Sequence, residues 1–195
     1  MSEIVLHTRT QDGKPIAPLT LRMGSIIAVD KPLDCTSFDV VNRFRIMVKQ
    51  TVGLKKIKVG HTGTLDPKAT GLLLLCTGRA TKQIEQLMLN RKEYVATLKF
   101  GATTPSFDLE HPEDAHYPYE HITQGMLEEA LREFLGTTLQ VPPIFSAVSV
   151  GGKRAYDLAR KGKDCQLEGK PITIHELEVV SFEPPYATLR ISCGK

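Results

Sequence analysis

Gly60-His61-Thr62-Gly63-Thr64-Leu65-Asp66-Pro67-Lys68-Ala69-Thr70-Gly71 runs directly into four leucines at positions 72–75. Glycine, threonine and proline shape turns and do not fill cores, so a single carboxylate, Asp66, stands in a segment built as a loop. Glycine opens backbone conformations closed to other residues and lets a substrate approach closely. Pro67 fixes its own φ and biases Asp66 toward an extended backbone, which holds the side chain out of the loop. The apolar run that follows reads as a buried strand or a short helix, a rigid base for a functional loop. Turn chemistry alone leaves two readings: a carboxylate displayed for chemistry, or an ordinary turn whose Asp bonds its own backbone.

The 195-residue chain is 41% hydrophobic, enough for one domain with a real core. Its net charge of +3 conceals a strong asymmetry. Residues 31–100 carry thirteen Lys/Arg against five Asp/Glu, and residues 101–150 carry one against eight. The basic block fits a polyanionic partner such as nucleic acid, although a solvated basic face would look the same. Cys35, Cys76, Cys165 and Cys193 form no Cys-x-x-Cys pair, which argues against zinc or a redox dithiol and for a reduced intracellular chain. With no signal-peptide pattern at the start and no apolar run long enough to span a bilayer, a cytoplasmic location without membrane attachment is expected.

Residues 1–24 are polar and turn-rich and read as an N-terminal extension; residues 25–195 form the expected main domain. A strand is predicted over residues 25–29. Thr36 or Ser37 can cap a helix over residues 38–49, with Val40, Val41, Phe44, Met47 and Val48 on one face. Lys55, Lys56 and Lys58 make the approach to the Asp66 loop basic. Residues 81–90 have helical spacing, and the alternation of Tyr94, Ala96, Leu98 and Phe100 predicts a strand. Thr123 as N-cap, Ile122 stapled onto Leu127 and Gly136 as stop predict a further helix. Strands are expected over 145–150, 172–182 and 186–193, and a short helix over 153–161. The irregular interleaving indicates an α+β fold with a mixed, largely antiparallel sheet flanked by helices.

Residues 60–71 resemble the signature of the TruB family of tRNA pseudouridine synthases, Gly-His-Thr-Gly-Thr-Leu-Asp-Pro-x-Ala-Thr-Gly. Asp30-Lys31-Pro32-x-x-x-Thr36-Ser37 is similar to the family's Lys-Pro motif. Gly78-Arg-Ala-Thr-Lys82, Lys92-Glu-Tyr94-Val95, Val141-Pro-Pro-Ile-Phe-Ser-Ala147 and Gly152-Lys-Arg-Ala-Tyr-Asp-Leu-Ala-Arg160-Lys-Gly162 match later blocks in order. The resemblance implies a pseudouridine-synthase-like fold with the Asp loop in a central cleft. It also implies an isomerase acting on the T-loop uridine conventionally numbered 55. The short separation of Asp66 and Tyr94 is similar to the bacterial type, so the tRNA T-arm is the expected partner, without guide RNA, for a monomer.

On this resemblance Asp66 is the catalytic carboxylate, a nucleophile at C1′ of the ribose or C6 of the base. Tyr94 stacks on the extruded base, replacing lost stacking worth roughly 1–3 kcal/mol; otherwise it reads as a core residue on a strand face. His61 helps the base leave the RNA stack, or is a loop hydrogen-bonder. Lys31 buttresses the floor of the site, or is a surface lysine before a proline. Gly63, Thr64 and Leu65 complete the substrate loop. Arg43, Arg45, Lys55, Lys56, Lys58, Lys153 and Arg154 are candidate phosphate contacts. No metal or cofactor is implied, because the isomerisation is redox-neutral.

Two departures from the family pattern stand out. Asp34 occupies the glycine position of Lys-Pro-x-Gly, and Asp is among the few residues that tolerate left-handed backbone. The chain ends at Ile191-Ser-Cys-Gly-Lys195, where the family continues with Gly-Thr-Tyr-Ile-Arg, whose Arg pairs with the catalytic carboxylate. A catalytic domain incomplete at its C-terminal end, without the family's small RNA-binding module, is therefore expected. The alternative is a non-catalytic tRNA-binding or folding protein, or an inactive fragment. Purified residues 1–195 should turn over unmodified tRNA weakly or not at all; full turnover in a pseudouridine assay contradicts this.

Overall fold

The computed structural model describes residues 18–141, 149–150, 153–154 and 168–194. The chain forms two compact units, residues 1–89 and 90–195.

In the first unit, helix α1 (Pro18–Met23) precedes strand β1 (Ile26–Lys31) and helix α2 (Ser37–Thr51). Strands β2 (Val59–His61) and β3 (Gly71–Thr77) flank the Asp66 loop. The three strands form an antiparallel sheet in the order β1-β3-β2. The four-leucine run is thus the central strand, and alternation applies to it: Leu73 and Leu75 are buried, while Leu72 is exposed. Register places Val29 opposite Leu73 and Ile27 opposite Leu75. That face packs with Val40, Val41, Phe44 and Val48 of α2, and with Leu21, Leu54 and Val59. Leu21 of α1 belongs to this core, so the expected extension packs at least from that helix onward.

Helix α2 starts where its cap chemistry dictates. Thr36 has extended backbone, and its side chain accepts from the Asp39 N–H while Asp39 accepts from the Thr36 N–H, a complete capping box. Of the two candidate caps, Thr36 does the capping. The helical spacing over 81–90 resolves into a 3-10 turn (Gly78–Gln83) followed by a single helical turn, α3 (Ile84–Met88).

The second unit is built on an antiparallel sheet in the order β4-β11-β10-β7, from Lys92–Lys99, Tyr186–Cys193, Lys170–Glu183 and Gly136–Gln140. Strand pairs β5 (Ala102–Thr103) with β6 (Ala115–His116), and β8 (Ser149–Val150) with β9 (Lys153–Arg154), are short. Helix α4 (Gln124–Arg132), capped by Thr123, sets Leu127 among Ala187 and Leu189, with Leu98, Phe100, Leu131, Val179 and Phe182 around them. The opposite sheet face is polar, as the pairing of Thr97 with Thr188 at 3.0 Å illustrates.

The α+β expectation holds, and every described strand pair is antiparallel. Three element expectations need correction. Helix α4 ends at Arg132, leaving Phe134 and Leu135 exposed, and Gly136 with φ of 91° turns the chain into β7. Strand β7 was not expected; it is polar and exposed on both faces, so it carries no alternation. Lys153 and Arg154 lie in a strand rather than a helix. Residues 1–17, 142–148, 151–152, 155–167 and 195, with the expectations that fall on them, lie outside the described residues. Among the described residues no helix is long and apolar enough to cross a membrane.

The Thr36 hydroxyl and then its N–H hold the Asp39 carboxyl below its ordinary value. A depressed folded-state value stabilises the fold above the unfolded value and is lost as pH falls through the folded one. Asp39→Asn should therefore flatten part of the acid limb of stability, by a few tenths of a kcal/mol at most, because Asp39 is exposed and solvent screens its interactions. Urea unfolding from pH 7 to 3 checks this, and identical acid limbs contradict it.

Candidate active site

The Asp66 loop is held from below by a lysine. Lys31 ends β1 on the same face as Ile27 and Val29, the face turned to the core, and it has no exposed surface. Burying an ammonium is costly unless its donors are met. Its Nζ donates to the carbonyls of Cys35 at 2.7 Å and Pro32 at 2.9 Å, and more weakly to Pro67 at 3.5 Å. The first two carbonyls belong to the turn after β1, the third to the loop itself. A surface lysine is excluded.

Further bonds fix the loop. The Asp34 N–H donates to the Pro67 carbonyl at 2.9 Å. Asp34 does adopt the left-handed backbone, with φ of 58°, and its carboxylate pairs with Lys68 at 2.8 Å. Ser37, 2% exposed, donates from its hydroxyl to the Leu65 carbonyl at 3.1 Å and accepts from the Leu65 N–H at 2.9 Å. Asp66 opens a β-turn closed by the Ala69 N–H on its carbonyl, with Pro67 in the position proline prefers. Gly71, at φ of 118°, returns the chain to β3.

Asp66 itself is exposed. Among the described residues nothing is hydrogen-bonded or ion-paired to its carboxylate, so the reading of an Asp that caps its own turn fails. The backbone is pinned on both sides while the side chain is presented. His61 ends β2, and its Nδ1 donates to the Gly63 carbonyl at 2.6 Å, which orients the ring within the loop. Thr64 is exposed and Leu65 half-buried. A Cβ on Gly63 would meet nothing within 4 Å, and its φ is not left-handed, so the fold does not itself require glycine there.

The basic candidates differ among themselves. Arg43, Lys55, Lys56 and Lys58 are exposed. Arg45 is half-buried and donates to the Val59 carbonyl at 3.0 Å, tying α2 to β2. The side chains of Lys153 and Arg154 lie outside the described set.

Tyr94 belongs to the second unit. It stands on the edge strand β4 opposite Ile191 and is 41% exposed, so it is not a core residue of its sheet. The polar face of that sheet carries Arg190, bound to Glu93 at 2.8 Å, Glu178 at 2.9 Å and Glu176 at 3.3 Å. Glu178 and then Glu93 push its guanidinium further up from its ordinary value. Arg91, and to a lesser extent Arg190, hold the Glu176 carboxyl below its usual range, and Arg91 also reaches the buried Ser192 hydroxyl. Arg190 is thus committed to glutamates of its own unit. Among the described residues no cluster of three His, Cys, Asp or Glu is placed to hold a metal ion.

The family model described as TruB family pseudouridylate synthase, N-terminal domain, matches residues 49–195. A curated relative from Phocaeicola vulgatus, tRNA pseudouridine synthase B, is 53% identical over 177 residues, covering 91% of this chain and 75% of the relative. The namesake from Parabacteroides distasonis is 54% identical over 172 residues, covering 88% and 73%. Among solved structures, a Cbf5-Nop10-Gar1 complex matches with a TM-score of 0.62 at 25% identity, covering 97% of this chain. An H/ACA RNP bound to a substrate RNA containing 2′-deoxyuridine matches at 0.60 and 20% identity. This chain spans 46% and 47% of those two solved chains.

Lys31→Met should destabilise the chain by roughly 1–3 kcal/mol, because the Cys35 carbonyl loses its donor while those of Pro32 and Pro67 each lose one of two. A surface lysine would change stability by less than about 0.5 kcal/mol. Urea unfolding midpoints decide between them.

Proposed function

Since the chain belongs to the TruB family of pseudouridylate synthases, we propose that it isomerises the T-loop uridine at tRNA position 55, with Asp66 as the reacting carboxylate. The observation that carries this reading is the exposed, unengaged Asp66 side chain on a backbone pinned at both neighbouring residues. A carboxylate presented in this way is free to form a bond to substrate, and it loses no internal hydrogen bond in doing so.

The reaction breaks the N1–C1′ bond of the uridine, rotates the base and joins C5 to C1′. C5 loses its proton and N1 gains one, so atoms and electrons balance without a redox partner. Asp66 attacks at C1′ or C6 and is released when the new bond has formed. The target base must first leave the RNA stack. His61, oriented by its bond to the Gly63 carbonyl, is suited to fill the vacated place. The open surface over Gly63 leaves room for the RNA to approach the loop backbone, with Thr64 and Leu65 beside it. Tyr94, exposed on its edge strand, offers a ring on which the flipped base can stack. The exposed Arg43, Lys55, Lys56 and Lys58 supply salt-sensitive attraction to phosphates, whereas Arg45 is engaged in the fold and contributes less. The T-arm is read directly through its shape, without a guide RNA, in the cytoplasm where tRNA matures.

Asp66→Asn should reduce pseudouridine formation at the T-loop by at least about 10³-fold while T-arm affinity stays within about twofold. The assay is single-turnover conversion of unmodified tRNA with the protein in excess, which detects weak turnover. An Asp66→Asn protein as active as wild type refutes the assignment. Wild type and variant that both bind tRNA, with neither converting it, identify a binding protein instead.

A further inference from the structure

We propose that Ser37 is a positioning residue for Asp66, its hydroxyl locking the adjacent Leu65 peptide groups so that the carboxylate is presented in one place. The proposal rests on the reading of Asp66 as the reacting group. A serine hydroxyl has one hydrogen to donate and lone pairs to accept with. Ser37 uses both functions on a single residue 28 positions away, donating to the Leu65 carbonyl and accepting from the Leu65 N–H. The β2–β3 ladder serves the loop only as far as the Thr62 N–H on the Leu74 carbonyl. Leu65 therefore lies beyond strand pairing, and the hydroxyl replaces the missing strand partner.

Thr36 caps α2, and the Ser37 hydroxyl takes no part in that cap. The bond is also well sheltered: Ser37 is 2% exposed and sits in the first turn of a helix anchored by Val40, Val41 and Phe44. Such shielding strengthens a hydrogen bond and keeps water from competing for it. On the far side of Asp66, the Pro67 carbonyl is held by the Asp34 N–H and Lys31. Removing Ser37 Oγ frees one side of the loop while the other stays fixed, so the carboxylate swings rather than dissociates. Displacement of a reacting group by about 1 Å can cost about 100-fold in rate.

The test compares Ser37→Ala with Thr36→Ala in the full chain. Ser37→Ala should lower the single-turnover rate by on the order of 10- to 100-fold, keep T-arm affinity within about twofold, and speed amide hydrogen exchange at Leu65. Thr36→Ala should lower the unfolding midpoint through its lost cap without changing the rate or the Leu65 exchange. The proposal is overturned if Ser37→Ala reacts at the wild-type rate, if Leu65 exchange is unchanged, or if its loss appears wholly as weaker binding. Asp66→Asn is run alongside. A fully active Asp66→Asn removes the premise and the positioning role with it, whereas an inactive Asp66→Asn beside a wild-type-like Ser37→Ala condemns the role of Ser37 alone.

Discussion

A lysine ammonium without exposed surface is the constraint on which the first unit depends. Its place follows from strand geometry: Ile27, Val29 and Lys31 alternate onto the core face of β1, so the last of them carries its charge beneath the loop that follows β2. Once there, it must be met by polar groups, and the carbonyls of Pro32, Cys35 and Pro67 meet it. The loop cannot drift from that floor without weakening the solvation of a buried charge. Core packing and the position of Asp66 are therefore one problem and not two.

The site gains rigidity from neighbours that are distant in sequence. Ser37 grips the residue before Asp66, Asp34 and Lys31 grip the residue after it, and the turn closed by Ala69 fixes the backbone between. None of these bonds uses the carboxylate. This separation of holding from presenting is what a nucleophile requires, because a side chain already satisfied within the protein must give up that bond before it reacts. In the second unit the opposite holds for Arg190, whose guanidinium is saturated by three glutamates and serves its own sheet.

Elements that bury one face were legible in the sequence. The capped helix at residue 37, the strands around residues 26, 94, 172 and 186, and the loop at 60–71 all carry a period or a turn signature. Strand β7 was hidden because Gly136-Thr-Thr-Leu-Gln buries neither face, leaving Gly136 to be read as a helix stop. Helical spacing over 81–90 outlasted the helix itself, since the short α3 buries no residue. The exposed loop position of Asp66 was legible through its turn chemistry, but the tethers of that loop were not. Asp30-Lys31-Pro32 gives no sign that the lysine is buried, and Ser37 beside Thr36 looks like one of two caps. Contacts spanning 28 or 36 residues leave no local pattern.

The central claim is that a backbone pinned on both sides delivers Asp66 to a flipped uridine. The most direct measurement is a structure of this chain bound to a T-arm RNA stem-loop. The Asp66 carboxylate is expected in contact with the ribose C1′ or base C6 of the extruded T-loop uridine, with the Ser37–Leu65 and Lys31–Pro67 bonds unchanged. A complex in which that uridine stays stacked in the RNA, or lies away from Asp66, contradicts it.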